Sequence, residues 1–280
     1  MRPHIEQMQR KLKAAIKVPG VANRFKGDLV IAFTSLGMSH RKALALAAEM
    51  VRRVQQMKNV EMTETTARNY LSWQKMGNMK FPEAFTEGLA SRAQIIFNQV
   101  SSYLSNMKGR GIDFGCGRGE VTQMLCTRLG LDMYGCDARQ YLFEGARFPF
   151  AISDDQGVCY QDHFFSGGLM TNVLHHEVNN EIILAQLHRI IKPGGHLVVI
   201  ETVPAHDTEV DFALTLLNDW FYNRVPYDAD VSVPGTFETK ENWVKRFGSS
   251  GFTIRSAPVE LGFDQPLIQD FHVLYDLTRD

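Results

Sequence analysis

The sequence lacks several features that would place the protein in a special class. No apolar run approaches the roughly 20 residues that span a bilayer. The first 18 residues contain Lys and Arg but no apolar stretch typical of a secretory signal. The four cysteines have no CxxC spacing, which disfavours disulfides and a zinc site and favours a reducing compartment. We therefore expect a cytoplasmic protein with no membrane partner.

Charge is unevenly distributed along the chain. Residues 1–110 contain 18 Lys and Arg against seven Asp and Glu, whereas residues 111–280 contain 12 against 24. The overall content of 44% hydrophobic and 22% charged residues is ordinary for a globular protein. The asymmetry indicates either two regions with different tasks or complementary surfaces within one molecule.

The hydrophobic pattern changes near residue 89. Before it, apolar residues recur at helical spacing, so we predict an all-helical region over residues 1–88. After it, short apolar runs alternate with helical patterns, which predicts an α/β domain over residues 89–280. We expect a Rossmann-like, seven-stranded, mostly parallel sheet with helices on both faces.

The first strand of that domain leads into glycines at alternate positions, Gly115, Gly117 and Gly119. Glycine lets the backbone approach a ligand closely, and the following helix directs its N-terminus at that ligand. The dinucleotide pattern G-x-G-x-x-G is absent, because the third glycine comes one residue early. Asp137 ends the second strand, where a carboxylate can accept both hydroxyls of a ribose. A helix N-cap or a surface acid is the alternative role for Asp137.

Together these motifs resemble the class I S-adenosylmethionine-dependent methyltransferases, particularly the small-molecule branch. The resemblance spans about residues 90–280 and rests on Ile112–Gly119, Gly135–Asp137, Thr171–His176 and Arg189–Glu201. It implies that Asp113 and the glycine loop, Cys116 included, hold the methionine part of S-adenosyl-L-methionine. It further implies that Asp137 binds the ribose, with Ala138 beside the adenine.

Two parts of the family pattern are less complete. The resemblance places Asp155 in the segment that contacts adenine, but the usual Leu-Pro-Phe is missing there. Asn172 is expected at the end of the fourth strand, facing cofactor and substrate. His175 and His176 follow it and are candidates for a general base, although a histidine here also serves as a pocket wall in such proteins. No close ligand spacing indicates a metal site.

The methyl acceptor is the least defined element. The aromatic segment around residue 220 is typical of a substrate wall, so Trp220, Tyr222 and Arg224 are our candidates for substrate binding. We predict methyl transfer to oxygen, nitrogen or carbon of a small metabolite.

Two alternatives remain. The first is a nucleic-acid methyltransferase that grips phosphates through the basic N-terminal region, where Thr63–Trp73 has the texture of a recognition helix. The motifs of the common DNA amino- and cytosine-methylating enzymes are missing. The second is a cofactor-binding regulator without catalysis. The N-terminal helices would otherwise cover an active site or form a homodimer.

Overall fold

The computed structural model describes residues 3–153, 157–226 and 231–280. Within them the chain forms nine α-helices: α1 (Pro3–Ala15), α2 (Val21–Ser35), α3 (His40–Gln55), α4 (Val60–Ser72), α5 (Phe81–Leu104), α6 (Glu120–Leu129), α7 (Asn180–Ile190), α8 (Glu209–Arg224) and α9 (Lys240–Ser249). In this described part no helix is both long and apolar enough to cross a membrane.

The same residues form ten strands: β1 (Lys75–Met76), β2 (Met79–Lys80), β3 (Arg110–Phe114), β4 (Asp132–Asp137), β5 (Phe150–Ile152), β6 (Phe165–Thr171), β7 (Ile191–Val203), β8 (Phe252–Ile254), β9 (Val259–Gly262) and β10 (Phe271–Arg279). Strands β1 and β2, of two residues each, pair as an antiparallel hairpin. This hairpin interrupts the region that we predicted to be all-helical.

The remaining strands form one sheet in the order β5-β4-β3-β6-β7-β10-β8, and β9 also pairs with β10. The pairings among β3 to β7 are parallel, whereas β8 runs antiparallel to β10. The predicted mostly parallel α/β class is confirmed. The sheet has eight strands instead of the predicted seven, because residues 252–262 contain two short strands, β8 and β9, that both pair with β10.

The register places the ends of β3, β4 and β6 at one edge. Phe114 pairs with Cys136 of β4 and with Met170 of β6. The segments that follow these strands therefore emerge side by side, which is where ligands bind in open parallel sheets. Strand β7 continues this edge, because Ile200 pairs with Thr171.

Contacts divide the chain into two compact units. The sheet unit comprises residues 93–201, 238–261 and 272–280, and its core includes Val100, Leu169 and Val198. The helical unit comprises residues 1–92, 202–237 and 262–271. The predicted boundary at residue 88 stays a prediction, and the structure adds two later segments to the helical unit: residues 202–237, which contain α8, and residues 262–271.

Packing in the helical unit follows the apolar stripes of its helices. On α3 the buried stripe includes Ala43, Ala47, Met50, Val51 and Val54. Helix α4 begins at Val60, so Thr63 lies within its first turn. Asn59 caps this helix, because its side chain accepts a hydrogen bond from the Met62 N–H at 2.8 Å.

Candidate active site

The glycine loop forms a turn that only glycine adopts easily. Gly115, Gly117 and Gly119 have φ angles of 74°, 54° and 83°, in the left-handed region. A Cβ on Gly115 would lie 2.3 Å from Val173, and one on Gly119 would lie 2.5 Å from Phe148. A Cβ on Gly117 would meet no atom within 4 Å. The loop is thus packed at both ends and open above its centre, as a ligand cradle requires.

Asp137 is bonded directly to this loop. Its Oδ2 accepts a hydrogen bond from the Gly117 N–H at 2.8 Å. Burial raises the pKa of the Asp137 carboxyl, and hydrogen bonds from backbone N–H groups oppose that rise. One carboxylate oxygen therefore positions the loop, while Oδ1 retains acceptor capacity for a ligand. Ala138 follows it and is exposed.

Asp113 is buried beneath the loop, with 2% of its surface exposed. Its Oδ2 accepts a hydrogen bond from the Thr122 hydroxyl of α6 at 2.5 Å, which ties β3 to the helix after the loop. Its Oδ1 is buried with no hydrogen-bond partner in the described part of the chain. Burial raises the pKa of Asp113 to about 7.

The segment after β6 makes a strained turn. Asn172 has a φ of 55°, which is rare for a residue other than glycine, although asparagine tolerates it best. Its backbone N–H donates to the Ile200 carbonyl at 2.7 Å. Such strain concentrates where a side chain must be aimed for function. The turn touches the glycine loop through the close approach of Val173 to Gly115.

Glu201 of β7 holds this turn with both carboxylate oxygens. Its Oε1 accepts the Val173 and Leu174 N–H groups at 2.9 and 2.8 Å. Its Oε2 lies 2.7 Å from His175 Nδ1, and the two side chains are 0% and 2% exposed. Since the carboxylate accepts, Nδ1 donates, which places the basic lone pair of a neutral imidazole on Nε2. His175 and Glu201 form a buried dyad.

Glu201 was missed as a functional residue by sequence reasoning. The available signal was an acid directly after the apolar run of residues 197–200, on the strand that neighbours β6, which the histidines follow. His176 lies beside the dyad, with its ring centroid 4.1 Å from that of His175. His176 is only half-buried, so the two adjacent histidines occupy different environments.

The predicted substrate residues lie together within the helical unit. Trp220 and Arg224 of α8 both bond to Glu64 of α4: the indole N–H donates at 2.8 Å, and the guanidinium Nε donates at 2.7 Å. Tyr222 is also buried, and burial raises the pKa of its phenol. Their role in substrate binding stays a prediction. Asp155, the predicted adenine contact, lies outside the described residues.

The chain matches one family model and short parts of several larger proteins. A family model described as a methyltransferase domain matches residues 87–257. The highly reducing polyketide synthase AN6791 of Emericella nidulans is 27% identical over 179 residues, covering 54% of this chain and 7% of that protein. The polyketide synthase component of lovastatin nonaketide synthase from Aspergillus terreus is 28% identical over 164 residues, covering 52% and 5%. The chain thus matches only a small part of these relatives.

Solved structures share the fold at low identity. Geranyl diphosphate C-methyltransferase from Streptomyces coelicolor A3(2), in complex with Mg²⁺, geranyl diphosphate and S-adenosyl-L-homocysteine, has a TM-score of 0.53 and 11% identity, covering 78% of this chain and 98% of that one. The [4+2]-cyclase SpnF has a TM-score of 0.53 and 14% identity, covering 78% and 94%. One fold therefore carries different reactions, and function must be argued from the site.

Proposed function

This chain belongs to the family of methyltransferase domains, within the class I S-adenosylmethionine-dependent group, and we propose that its acceptor is a small molecule that must lose a proton before it is methylated. One observation carries this proposal: the buried dyad in which Glu201 of β7 bonds to His175, which stands in the turn that touches the glycine loop. A base in that place is useful for a hydroxyl or a carbon acid. An aromatic amine, by contrast, is largely unprotonated at neutral pH and already has a lone pair for attack.

The residues of the sheet unit fit the cofactor. The open space above Gly117 admits a ligand against the backbone, and Asp137 Oδ1 offers an acceptor for a ribose hydroxyl. The buried Oδ1 of Asp113 fits a donor such as the amino group of methionine, directly or through a water molecule. We assign Gly115, Cys116, Gly117, Gly119 and the turn at Asn172 to the same cradle.

The chemistry divides between cofactor and protein. When bound, S-adenosylmethionine would supply a methyl group on a positively charged sulfur. The electron pair of the acceptor would take this methyl group, and the sulfur would leave as a neutral thioether. His175 Nε2 takes the proton of the acceptor, and the imidazolium that results is stabilised by the Glu201 carboxylate at Nδ1. Glu201 also fixes the imidazole through its two backbone hydrogen bonds, so the base is preorganised.

A carbon acceptor next to a carbonyl group is favoured over a hydroxyl. The curated relatives are polyketide synthases, and one structural neighbour is a C-methyltransferase. Polyketide intermediates carry carbon atoms between two carbonyl groups, whose protons a histidine can remove. We therefore propose a β-ketoacyl compound as the acceptor class, with the new methyl group on its α-carbon.

Nucleic acid is the weaker candidate acceptor. The helix with the texture of a recognition element is α4, and its exposed residues include no Lys or Arg. Nucleic-acid affinity rests largely on cations that neutralise phosphates. Helix α4 therefore exposes no cationic side chain that could bind phosphate groups.

The test is a methyl-transfer assay with labelled S-adenosylmethionine and three acceptors: a β-ketoacyl thioester, a phenol and an aromatic amine. We expect label on the α-carbon of the thioester, and loss of that activity in His175→Ala. Label confined to the amine, or an unchanged rate in His175→Ala, would refute the assigned acceptor chemistry. A melting-temperature rise with S-adenosylhomocysteine tests cofactor binding separately.

A further inference from the structure

Helix α4 presents an apolar outer face to solvent. Met62, Tyr70 and Trp73, which caps the helix, are 67%, 41% and 79% exposed. Their spacing of eight and three residues aligns them along one side of the helix. The opposite side packs into the core of the helical unit through Val60 and Leu71, both 0% exposed. Three large exposed side chains on one face are unusual for a surface helix.

The charge on this face argues against an anionic partner. Besides the apolar residues, the exposed positions of α4 are Thr65, Thr66, Asn69 and Glu61. The nearest cation in contact, Arg53, lies 5.1 Å from the centre of the Tyr70 ring and pairs with Glu49 at 2.8 Å. RNA or an anionic membrane would require several cations here, whereas the exposed positions of α4 carry one acid and no cation, and one exposed lysine, Lys75, follows the helix.

The sequence of the face is self-complementary. In an antiparallel pairing about a two-fold axis at residues 67–68, Met62 of one copy meets Trp73 of the other. The same symmetry sets Thr66 against Asn69, a hydroxyl against an amide. It also brings Glu61 to Gln74 and Lys75, and Glu61 and Lys75 are both exposed and have no ion pair in the described part of the chain.

We propose that α4 is a self-association surface, through which two copies of this chain form a two-fold dimer. Trp73 packs on Met62 of the second copy, and Glu61 pairs with Lys75 at each end of the contact. The face of one helix is small compared with stable interfaces, which bury about 1,200–2,000 Å². We therefore expect dissociation constants on the order of 10–100 µM.

Tryptophan fluorescence gives a direct readout of this contact. Trp220 and Trp243 are 1% and 0% exposed, so Trp73 is the tryptophan that acrylamide can quench. Between about 1 and about 500 µM protein, we expect quenching to fall and the sedimentation coefficient to rise together. In Trp73→Ser, we expect a monomer at every concentration. A wild-type monomer throughout this range would overturn the proposal.

Charge reversal tests the register. Glu61→Lys and Lys75→Glu should each weaken the dimer several-fold, and the double variant should restore it, because the pair is then inverted. Lys17→Glu, an exposed site at the end of α1, is the control and should leave dimerisation unchanged. A dimer insensitive to both single reversals would place the contact elsewhere. Protection of Trp73 only on addition of phosphatidylglycerol vesicles or poly(U) would assign the face to another partner.

Discussion

Two glutamates, one in each unit, are both buried and both accept several hydrogen bonds, but from different partners. Glu64 in the helical unit accepts hydrogen bonds from Trp220 and Arg224, and Glu201 in the sheet unit accepts them from two backbone N–H groups and His175. A guanidinium keeps its charge at any physiological pH, whereas an imidazole gains and loses a proton there. Glu64 and Arg224 therefore form a permanent ion pair that joins α4 to α8, whereas the His175 side chain bonded to Glu201 can accept and release a proton.

The largest expected effect is on turnover at the titratable pair. His175→Ala should lower kcat by about 10²–10⁴-fold, because the base is removed. Glu201→Gln should act similarly, since its amide can donate to Nδ1 and so shift the imidazole proton to Nε2. Cofactor affinity should change little in either variant. Single-turnover rates and calorimetry with S-adenosylhomocysteine check both statements.

Two comparisons sharpen that prediction. His176→Ala should lose less activity than His175→Ala, because Glu201 contacts His175. His40→Ala, an exposed site on α3, should behave as wild type. Equal losses at His175 and His176 would contradict the assignment of the base to His175.

The permanently charged pair should affect stability instead. Glu64→Ala leaves the buried Arg224 guanidinium without its carboxylate, which should cost about 3–5 kcal/mol of unfolding free energy. Glu87→Ala, an exposed acid on α5, should change it by less than about 0.5 kcal/mol. Urea unfolding measures both. If Glu64→Ala were as stable as the control, the ion pair of Glu64 with Arg224 would not stabilise the fold.

Asp137 should have a smaller effect, confined to ligand binding. Asp137→Ala removes the acceptor proposed for the ribose and should weaken S-adenosylhomocysteine binding by about 10–100-fold. Asp137→Asn keeps an acceptor for the Gly117 N–H and should lie between this variant and wild type. Isothermal titration calorimetry separates the three proteins. Wild-type affinity in Asp137→Ala would remove Asp137 from the cofactor site.

The last expected effect is a dependence of folding stability on pH through Asp113. Its folded-state pKa is raised from 3.8 to about 7, so the folded protein holds this proton more tightly than the unfolded chain. Stability from the protonated form is complete below about pH 4 and is lost as the pH rises towards about 7. Relative to Asp113→Asn, the wild type without cofactor should become less stable across that window. Parallel stability curves would contradict the raised pKa.

Much of this molecule was predictable from its sequence. The α/β class, the family and S-adenosylmethionine as cofactor are confirmed. They were predictable because the glycine loop and the strand pattern are local in the sequence. The dyad was not predictable, since His175 and Glu201 are 26 positions apart. Only the pairing of Thr171 with Ile200 brings Glu201 beside the turn.

Other features depended on packing that no local pattern reveals. Trp220 and Arg224 lie in a segment whose aromatic and polar composition is typical of a substrate pocket. Their hydrogen bonds to Glu64, about 160 residues away, were not visible in the sequence. The cap at Asn59 rather than Thr63 shows the same limit on a smaller scale. Both residues are good caps, and Thr63 instead donates its hydroxyl to the Asn59 carbonyl.

The most direct test of His175 as the base is proton exchange without methyl transfer. With S-adenosylhomocysteine in place of the methyl donor, the wild-type enzyme in D₂O should exchange the α-proton of a β-ketoacyl thioester faster than the solvent does. His175→Ala and Glu201→Gln should reduce that exchange to the solvent rate. Exchange at the wild-type rate in both variants, read by mass spectrometry, would show that the dyad is not the base.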